Sequence, residues 1–234
     1  MSVRSDYARA LDALTTAAQQ ELLDFWLNRE VLGVGRTVAF QALMTDLVEM
    51  YGAEAASAAA DYIFMDWDAN YSDDFARLRR PVEQAVSRAQ VQKELGWALQ
   101  TQSGGLANPT ATAMSLERLQ GVVTRLVLTP AHRTVARGCA DAGTRYARLP
   151  EPGACSFCLM LSSRGAVYSK DTVLGGGGKF HTSCRCVGIQ VKPDRSDLPR
   201  AVASLEQQWA ELSKTLGFSP SPEQWAEHIA DLAS

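Results

Sequence analysis

Two clusters of sulfur and imidazole side chains constrain the fold of this 234-residue chain more than any other feature of its sequence. Cys155 and Cys158 form a C-x2-C pair, and His181, Cys184 and Cys186 follow in the order H-x2-C-x-C. Zn²⁺ prefers four nitrogen or sulfur ligands at the corners of a tetrahedron. The two clusters are therefore predicted to meet around one structural zinc ion, which would tie the loop between them at both ends.

The clusters supply five candidate ligands for four positions, so the ligand set has alternatives. We expect Cys155, Cys158 and His181 to bind the ion, because a tight C-x2-C turn directs both sulfurs to the same side. Cys184 is the next candidate, and Cys186 either replaces it or lies behind it as a buried thiol. Zinc or another structural metal is favoured over a set of reduced core cysteines and over a disulfide.

The N-terminus and the charge balance indicate a reducing compartment and exclude some partners. The chain begins MSVRSDYARALDAL, without the apolar segment of a secretory signal, and no apolar run approaches the ~20 residues that span a bilayer. We therefore expect assembly in a cytoplasm and no contact with a membrane. The formal net charge of -3 argues against a protein whose whole surface binds nucleic acid, because phosphate binding requires an excess of Lys and Arg.

Apolar residues at steps of three and four predict helices along the first half of the chain. The first helix covers residues 11–25 and ends before Gly33. A second helix starts near Thr37 and leads into an alanine-rich stretch, and a third begins at Pro81, where the missing N–H costs nothing.

Further helices are predicted on both sides of the cysteine clusters. A fourth helix covers residues 116–126, and Thr129-Pro130 has the form of an N-cap followed by a first helical proline, which predicts a separate short helix ending near Gly143. In the tail, residues 205–216 share an apolar face, and Ser221-Pro222-Glu-Gln predicts a capping box that opens a last helix.

These patterns predict a mainly α protein with a multi-helix body, a small irregular α+β module of the zinc-binding kind and C-terminal helices. Residues 1–129 form the predicted N-terminal helical region. Residues 130–192 form the module with the Cys/His cluster, and residues 193–234 form a linker and helical tail.

Three other residues with metal-binding side chains fall in helical stretches away from the clusters. Cys139 lies in an apolar stripe and is predicted to be a small core residue. His132 and His228 have no neighbouring cluster, so both are predicted to be surface or capping residues.

Two further sets of residues have functional alternatives. Ser162, Ser163, Asp171 and His181 contain the residue types of a hydrolytic triad, but no G-x-S-x-G motif supports one. The basic string at positions 133, 137, 145 and 148 is interpreted as a solvated helix face. The alternative is that Arg133 and Arg137 contact nucleic acid or an acidic protein surface.

The stretch from Gly153 to Cys186 contains G-A-C-S-F-C-L-M-L-S-S-R-G-A-V-Y and then F-H-T-S-C-R-C. It resembles the module of minor head morphogenesis proteins of the phage Mu gpF type, notably those of phages of actinobacteria. In that family a C-x2-C with a following R-G-x-V-Y is answered by an H-x2-C-x-C ending. Arg164, Gly165 and Tyr168 match as residues that hold the fold, whereas Thr182 stands where many members have a proline.

The resemblance implies a non-enzymatic minor capsid protein of a tailed phage. Such a protein would associate with the portal protein and with the major capsid or scaffold protein during procapsid assembly in the host cytoplasm. It would then remain in the virion, inside the capsid with the packaged DNA. A capsid maturation protease is the second hypothesis, and a DNA- or portal-binding adaptor that uses Arg133 and Arg137 is the third.

Overall fold

The computed structural model describes residues 2–28, 36–70, 86–98, 109–167 and 184–232. Within those ranges the chain is mainly helical and contains one two-stranded sheet, which confirms the predicted fold class. The elements in chain order are α1 (Val3–Leu27), α2 (Arg36–Asn70), α3 (Arg88–Ala98), α4 (Pro109–Ala142), β1 (Arg145–Leu149), α5 (Ser156–Ser162), β2 (Val187–Val191), α6 (Arg200–Leu216) and α7 (Pro222–Leu232).

Helix α1 begins where the sequence offers a reciprocal cap and buries one face along its whole length. The Ser2 hydroxyl accepts a hydrogen bond from the Ser5 backbone N–H, and the Ser5 side chain caps the Ser2 backbone in return. The buried positions recur at steps of three and four, as an amphipathic helix requires. They are Tyr7, Leu11, Thr15, Ala18, Leu22 and Trp26.

Helices α1, α2 and α4 pack together and form the main core. The alanine-rich part of α2 buries four alanines, Ala55, Ala56, Ala59 and Ala60, and short side chains allow neighbouring helix backbones to approach closely. On α4, a Cβ added at Gly138 would lie 3.1 Å from the Ile63 side chain of α2. The small residues therefore set how closely these helices pack.

Helix α4 corrects the prediction of a separate helix starting at Pro130. The helix runs without a break from Pro109 to Ala142, with Pro130 in its interior. An internal proline costs about 3 kcal/mol, because one backbone hydrogen bond is lost and the ring crowds the preceding turn. Leu126, Val127 and Ala131 are fully buried around it, and this burial offsets the cost.

Two other helix predictions have different outcomes. The proposed start of the third helix at Pro81 lies outside the described residues, where α3 is described from Arg88 onwards. The capping box at Ser221 is confirmed, since its hydroxyl accepts from the Gln224 N–H and its own N–H donates to the Gln224 side chain. The predicted boundary between residues 129 and 130 falls inside α4, and the three-region division itself stays a prediction.

Strands β1 and β2 form an antiparallel ribbon in which Arg145 pairs with Val191 and Leu149 pairs with Val187. Alternate residues of a strand point to opposite faces. One face of the ribbon is apolar and joins the main core through Ala147, Leu149, Val187, Ile189 and Val191. The opposite face carries Tyr146, Arg148 and Gln190, and all three are buried.

The two C-terminal helices pack mainly against α5, and α6 also contacts β1. Their contact with α5 forms a second cluster of buried residues, Met160, Leu161, Leu205 and Trp225. Gly217 ends α6 in the left-handed conformation, φ 79°, which favours glycine.

Arg4 connects the start of the chain to the segment that precedes α6. Its guanidinium donates to the Asp197 carboxylate at 2.5 Å and to the Gln190 carbonyl at 2.8 Å.

No helix in the described ranges is both long enough and apolar enough to span a membrane.

Candidate metal centre

Helix α5 and its N-cap carry the two cysteines of the C-x2-C pair. Cys155 occupies the N-cap with an extended backbone, φ -66° and ψ 160°, and its side chain makes no capping hydrogen bond. Cys158 lies one turn further on and is 3% exposed. A helix of seven residues is too short to be stable alone, so the conformation of α5 depends on what it packs against.

The segment that leads into β2 brings the other two cysteines. Cys184 and Cys186 lie just before β2, and both are buried. Arg185 lies between them and reaches α1, where its guanidinium donates to Asp12 at 2.9 Å and to Gln19 at 2.8 Å.

Cys158, Cys184 and Cys186 form a compact group of three buried thiols. Their sulfurs all lie within 4.8 Å of one another, and the sulfurs of Cys158 and Cys184 are 3.4 Å apart. Zn–S bonds of about 2.3 Å in a tetrahedron place two sulfurs about 3.8 Å apart. The three thiols are therefore close enough to bind one metal ion.

One of the three thiols, Cys184, is polarised toward the thiolate form that a metal requires. Hydrogen bonds from Cys158 and Cys186 lower the pKa of Cys184 to about 2, and the matching interaction raises the pKa of Cys158. One thiolate in this group is therefore stabilised by two S–H donors. All five cysteines of the chain are thiols rather than disulfides.

Buried polar side chains from α4 and β1 lie close enough to the thiol group to interact with it electrostatically. His132 was predicted at the surface, and this was wrong: it is 2% exposed, because α4 continues through Pro130 and turns it inward. Burial lowers the pKa of His132 to about 3, while the nearby Cys184 has the opposite effect. The Tyr146 hydroxyl lies 3.4 Å from its Nδ1 atom.

Arg148 corrects the interpretation of the basic string as one solvated helix face. Arg145 and Arg148 belong to strand β1, and Arg148 is 2% exposed. The pKa of Cys186 is raised to about 12: its hydrogen bond with Cys158 lowers the pKa, its hydrogen bond with Cys184 and burial raise it further, and the Arg148 guanidinium acts against that rise. The other histidine, His228, is half-buried in α7, with its ring centroid 5.7 Å from that of Trp225.

The structure brings together three of the five predicted ligands. Cys155 is exposed at the start of α5 and is not among the three grouped thiols. His181 lies outside the described residues, as do Tyr168, Asp171 and Thr182. The roles of Cys155 and His181 as ligands therefore stay predictions.

The other residues singled out in the sequence are placed as follows. Gly165 is buried with φ 65°, a conformation that L side chains rarely adopt, while Arg164 is exposed. Cys139 is a core residue of α4, as predicted, and burial raises its pKa to about 12. Arg133 and Arg137 are half-exposed on α4, and Arg137 lies 3.7 Å from Asp141.

The serines of the hypothetical triad are both inaccessible. Ser162 and Ser163 are 0% and 1% exposed, and the Ser163 hydroxyl donates to the Met160 carbonyl at 2.7 Å. A nucleophile must reach its substrate, so neither serine is placed to attack one.

An apolar cavity of about 520 Å³ lies beside the segment that leads into β2, with Arg185 and Val187 among its lining residues. Its walls come from α1, from Leu128 of α4 and from residues 149–152, and Arg185 and Glu151 lie among its polar residues. The volume suits a small molecule or a few side chains of a partner.

No curated protein and no solved structure matches the chain. One family model, described as VG15 protein, matches residues 2–212. That range includes α1 to α5, both strands and the three grouped thiols, while α7 lies beyond it. The chain belongs to the VG15 protein family, and this membership indicates a phage-type protein.

Proposed function

We propose that the chain is a minor head protein of a tailed phage, which acts in procapsid assembly near the portal and uses a structural zinc ion to hold its central module. The buried group of Cys158, Cys184 and Cys186 carries this proposal. These are the positions at which the C-x2-C and H-x2-C-x-C segments match the Mu gpF-type module. The VG15 match supports a phage origin for the whole body of the chain.

Zinc is the metal that the chemistry of the site favours. Thiolates select soft or borderline ions, and structural zinc sites have four protein ligands and no open position. The three thiols are each at most 3% exposed, so substrate has no access to an ion among them. His181 is the proposed fourth ligand, since the H-x2-C spacing to Cys184 lets both side chains face one ion.

The proposed partners are the portal protein and the major capsid or scaffold protein, with packaged DNA as a further neighbour inside the capsid of the virion. Arg133 and Arg137 are the side chains proposed to contact the portal or nucleic acid. They project from α4 and are partly accessible. The burial of Ser162 and Ser163 gives no support to the protease hypothesis.

Assembly in cells that express the phage head genes tests this proposal. The chain is co-expressed with the portal, scaffold and major capsid proteins, with and without the portal, and procapsids are isolated by sedimentation. We expect the chain in portal-containing particles at few copies each. Its absence from such particles, or its equal presence without the portal, would contradict the proposed role.

The same particles test the protease alternative. We expect the major capsid protein to keep its length in the presence of the chain. Cleavage that depends on the chain and is abolished by Ser163→Ala would replace our proposal with a maturation protease.

A further inference from the structure

We propose that Arg148 is the positive counter-charge of the metal centre and sets the affinity of the three thiolates for a divalent ion. The inference rests on the proposed metal centre and assigns a positioning role to a residue outside the ligand set.

The geometry of the ribbon places Arg148 on the side of the cysteines. Directly paired residues of antiparallel strands share a face, and residues two apart along a strand return to it. Arg148 pairs with Gly188, and Cys186 lies two residues before Gly188. Cys186 immediately precedes β2, and Arg148 lies close enough for its charge to act on the Cys186 thiol.

The glycine at position 188 leaves this face open for the larger side chains of β1. A Cβ added at Gly188 would lie 2.4 Å from the Tyr146 hydroxyl, so the Tyr146 ring occupies the space over the glycine. Tyr146 and Arg148 are alternate residues of the same strand and share this face. Tyr146, Arg148 and Cys186 are all at most 2% exposed.

Charge balance favours a guanidinium beside this group of thiolates. Arginine stays protonated in proteins, so its charge enters the interior with it, and a buried charge requires an opposite charge nearby. Three thiolates around one divalent ion leave one negative charge, and a neutral histidine ligand does not change that sum. One guanidinium cancels it.

Arg145 provides a matched control on the same strand. It points to the opposite face, is exposed and donates to the Pro193 carbonyl at 3.0 Å. Replacing Arg145 removes the same charge from the same strand while leaving the thiol group untouched.

The test uses the full-length chain, stripped of metal under reducing conditions and then titrated with Co²⁺ and Zn²⁺. Zinc affinity is measured by competition with a chromophoric chelator, and Co²⁺ reports thiolate ligation through its sulfur-to-metal charge-transfer absorption. We expect Arg148→Met to weaken zinc binding by about 10- to 100-fold, as loss of an outer partner of metal ligands typically does. Arg148→Lys should recover most of that loss, and Arg145→Met should bind like the unmodified chain.

Recovery of zinc affinity in Arg148→Lys separates a charge effect from a general loss of packing, because lysine would not reverse loosened packing alone. A shift of the Co²⁺ charge-transfer band in Arg148→Met reports the charge effect at the thiolates themselves. Equal zinc affinity in a folded Arg148→Met variant would overturn the proposal, as would failure of Arg148→Lys to restore any affinity. If the unmodified chain takes up no metal, the proposed metal centre fails instead.

The unmodified chain offers a measurement that needs no variant, should Arg148→Met not fold. The Nε–Hε resonances of the arginines are assigned through bonds by NMR, and Zn²⁺ is then added. We expect the Arg148 resonance to shift strongly and the Arg145 resonance to stay in place. An unmoved Arg148 resonance on full metal loading would overturn the inference.

Discussion

At the scale of single residues, the module depends on positions that tolerate little change because backbone shape or burial leaves no alternative. Gly165 has a left-handed backbone and sits against α6, while His132 is an imidazole held neutral in the interior. Both effects have measurable consequences for stability that do not require knowledge of the partner proteins.

Replacing Gly165 with alanine should destabilise the folded chain. The left-handed conformation costs a side chain about 1–2 kcal/mol, and the new Cβ would lie 2.8 Å from the Glu206 carboxylate. Gly96→Ala is the matched control, since a Cβ there meets nothing within 4 Å and a helical alanine gains about 1 kcal/mol over glycine. Urea unfolding measures both variants; equal effects of the two substitutions would contradict the backbone account.

His132 should make the folded chain less stable in acid. Its folded pKa is about 3, well below the ordinary value of about 6.5. Between these values the unfolded chain binds a proton that the folded chain does not, so this contribution is complete above pH 6.5 and is lost as the pH falls.

The size of the acid effect follows from linkage, and a variant isolates it. About 2 kcal/mol of unfolding free energy should be lost from this residue at pH 5. His132→Gln removes the titration, so the stability gap between the unmodified chain and the variant should narrow from pH 7 to pH 5. Parallel curves for the two proteins would show that His132 does not titrate in this way.

At the scale of elements, α5 is held from two sides. Cys158 joins the thiol group, while Met160 and Leu161 pack against Leu205 and Trp225 of the C-terminal helices. Because a helix this short does not persist alone, metal binding on one side should stabilise the docking of α6 and α7 on the other.

Loss of metal should therefore loosen the C-terminal helices before the main core. In Cys158→Ser we expect amide hydrogen exchange in α7 to become at least about tenfold faster, with exchange in α1 unchanged. Cys139→Ser is the matched control, because Cys139 is a buried cysteine outside the thiol group. Unchanged protection of α7 in a metal-free Cys158→Ser variant would contradict the proposed coupling between metal binding and the docking of the C-terminal helices.

At the scale of the whole molecule, local pattern predicted the elements, and pairing between distant segments determined the site. Apolar spacing correctly located α1, α2, α6 and α7, and side-chain chemistry located the cap at Ser221. The break at Pro130 was wrong because the local rule takes no account of the packing that carries α4 through it.

The part of the site that depends on residue type and spacing could be predicted from the sequence. Cys158, Cys184 and Cys186 stand out because their spacing resembles metal ligands. His132 and Arg148 do not, because only the continuous α4 and the register of β1 against β2 bring them to the thiols. The sequence contained only a weak indication of Arg148, as a basic residue two positions after Tyr146 in a stretch that was interpreted as an exposed helix.

The metal content of the protein tests the central claim most directly. The full-length chain is purified without chelators under reducing conditions, and zinc is measured by elemental analysis together with thiol content. We predict about one zinc per chain in the unmodified protein and in Cys139→Ser, and a large loss in Cys158→Ser, since a structural zinc site requires its full ligand set. A folded, unmodified chain that holds no metal, and takes up none when zinc is supplied, would contradict the account.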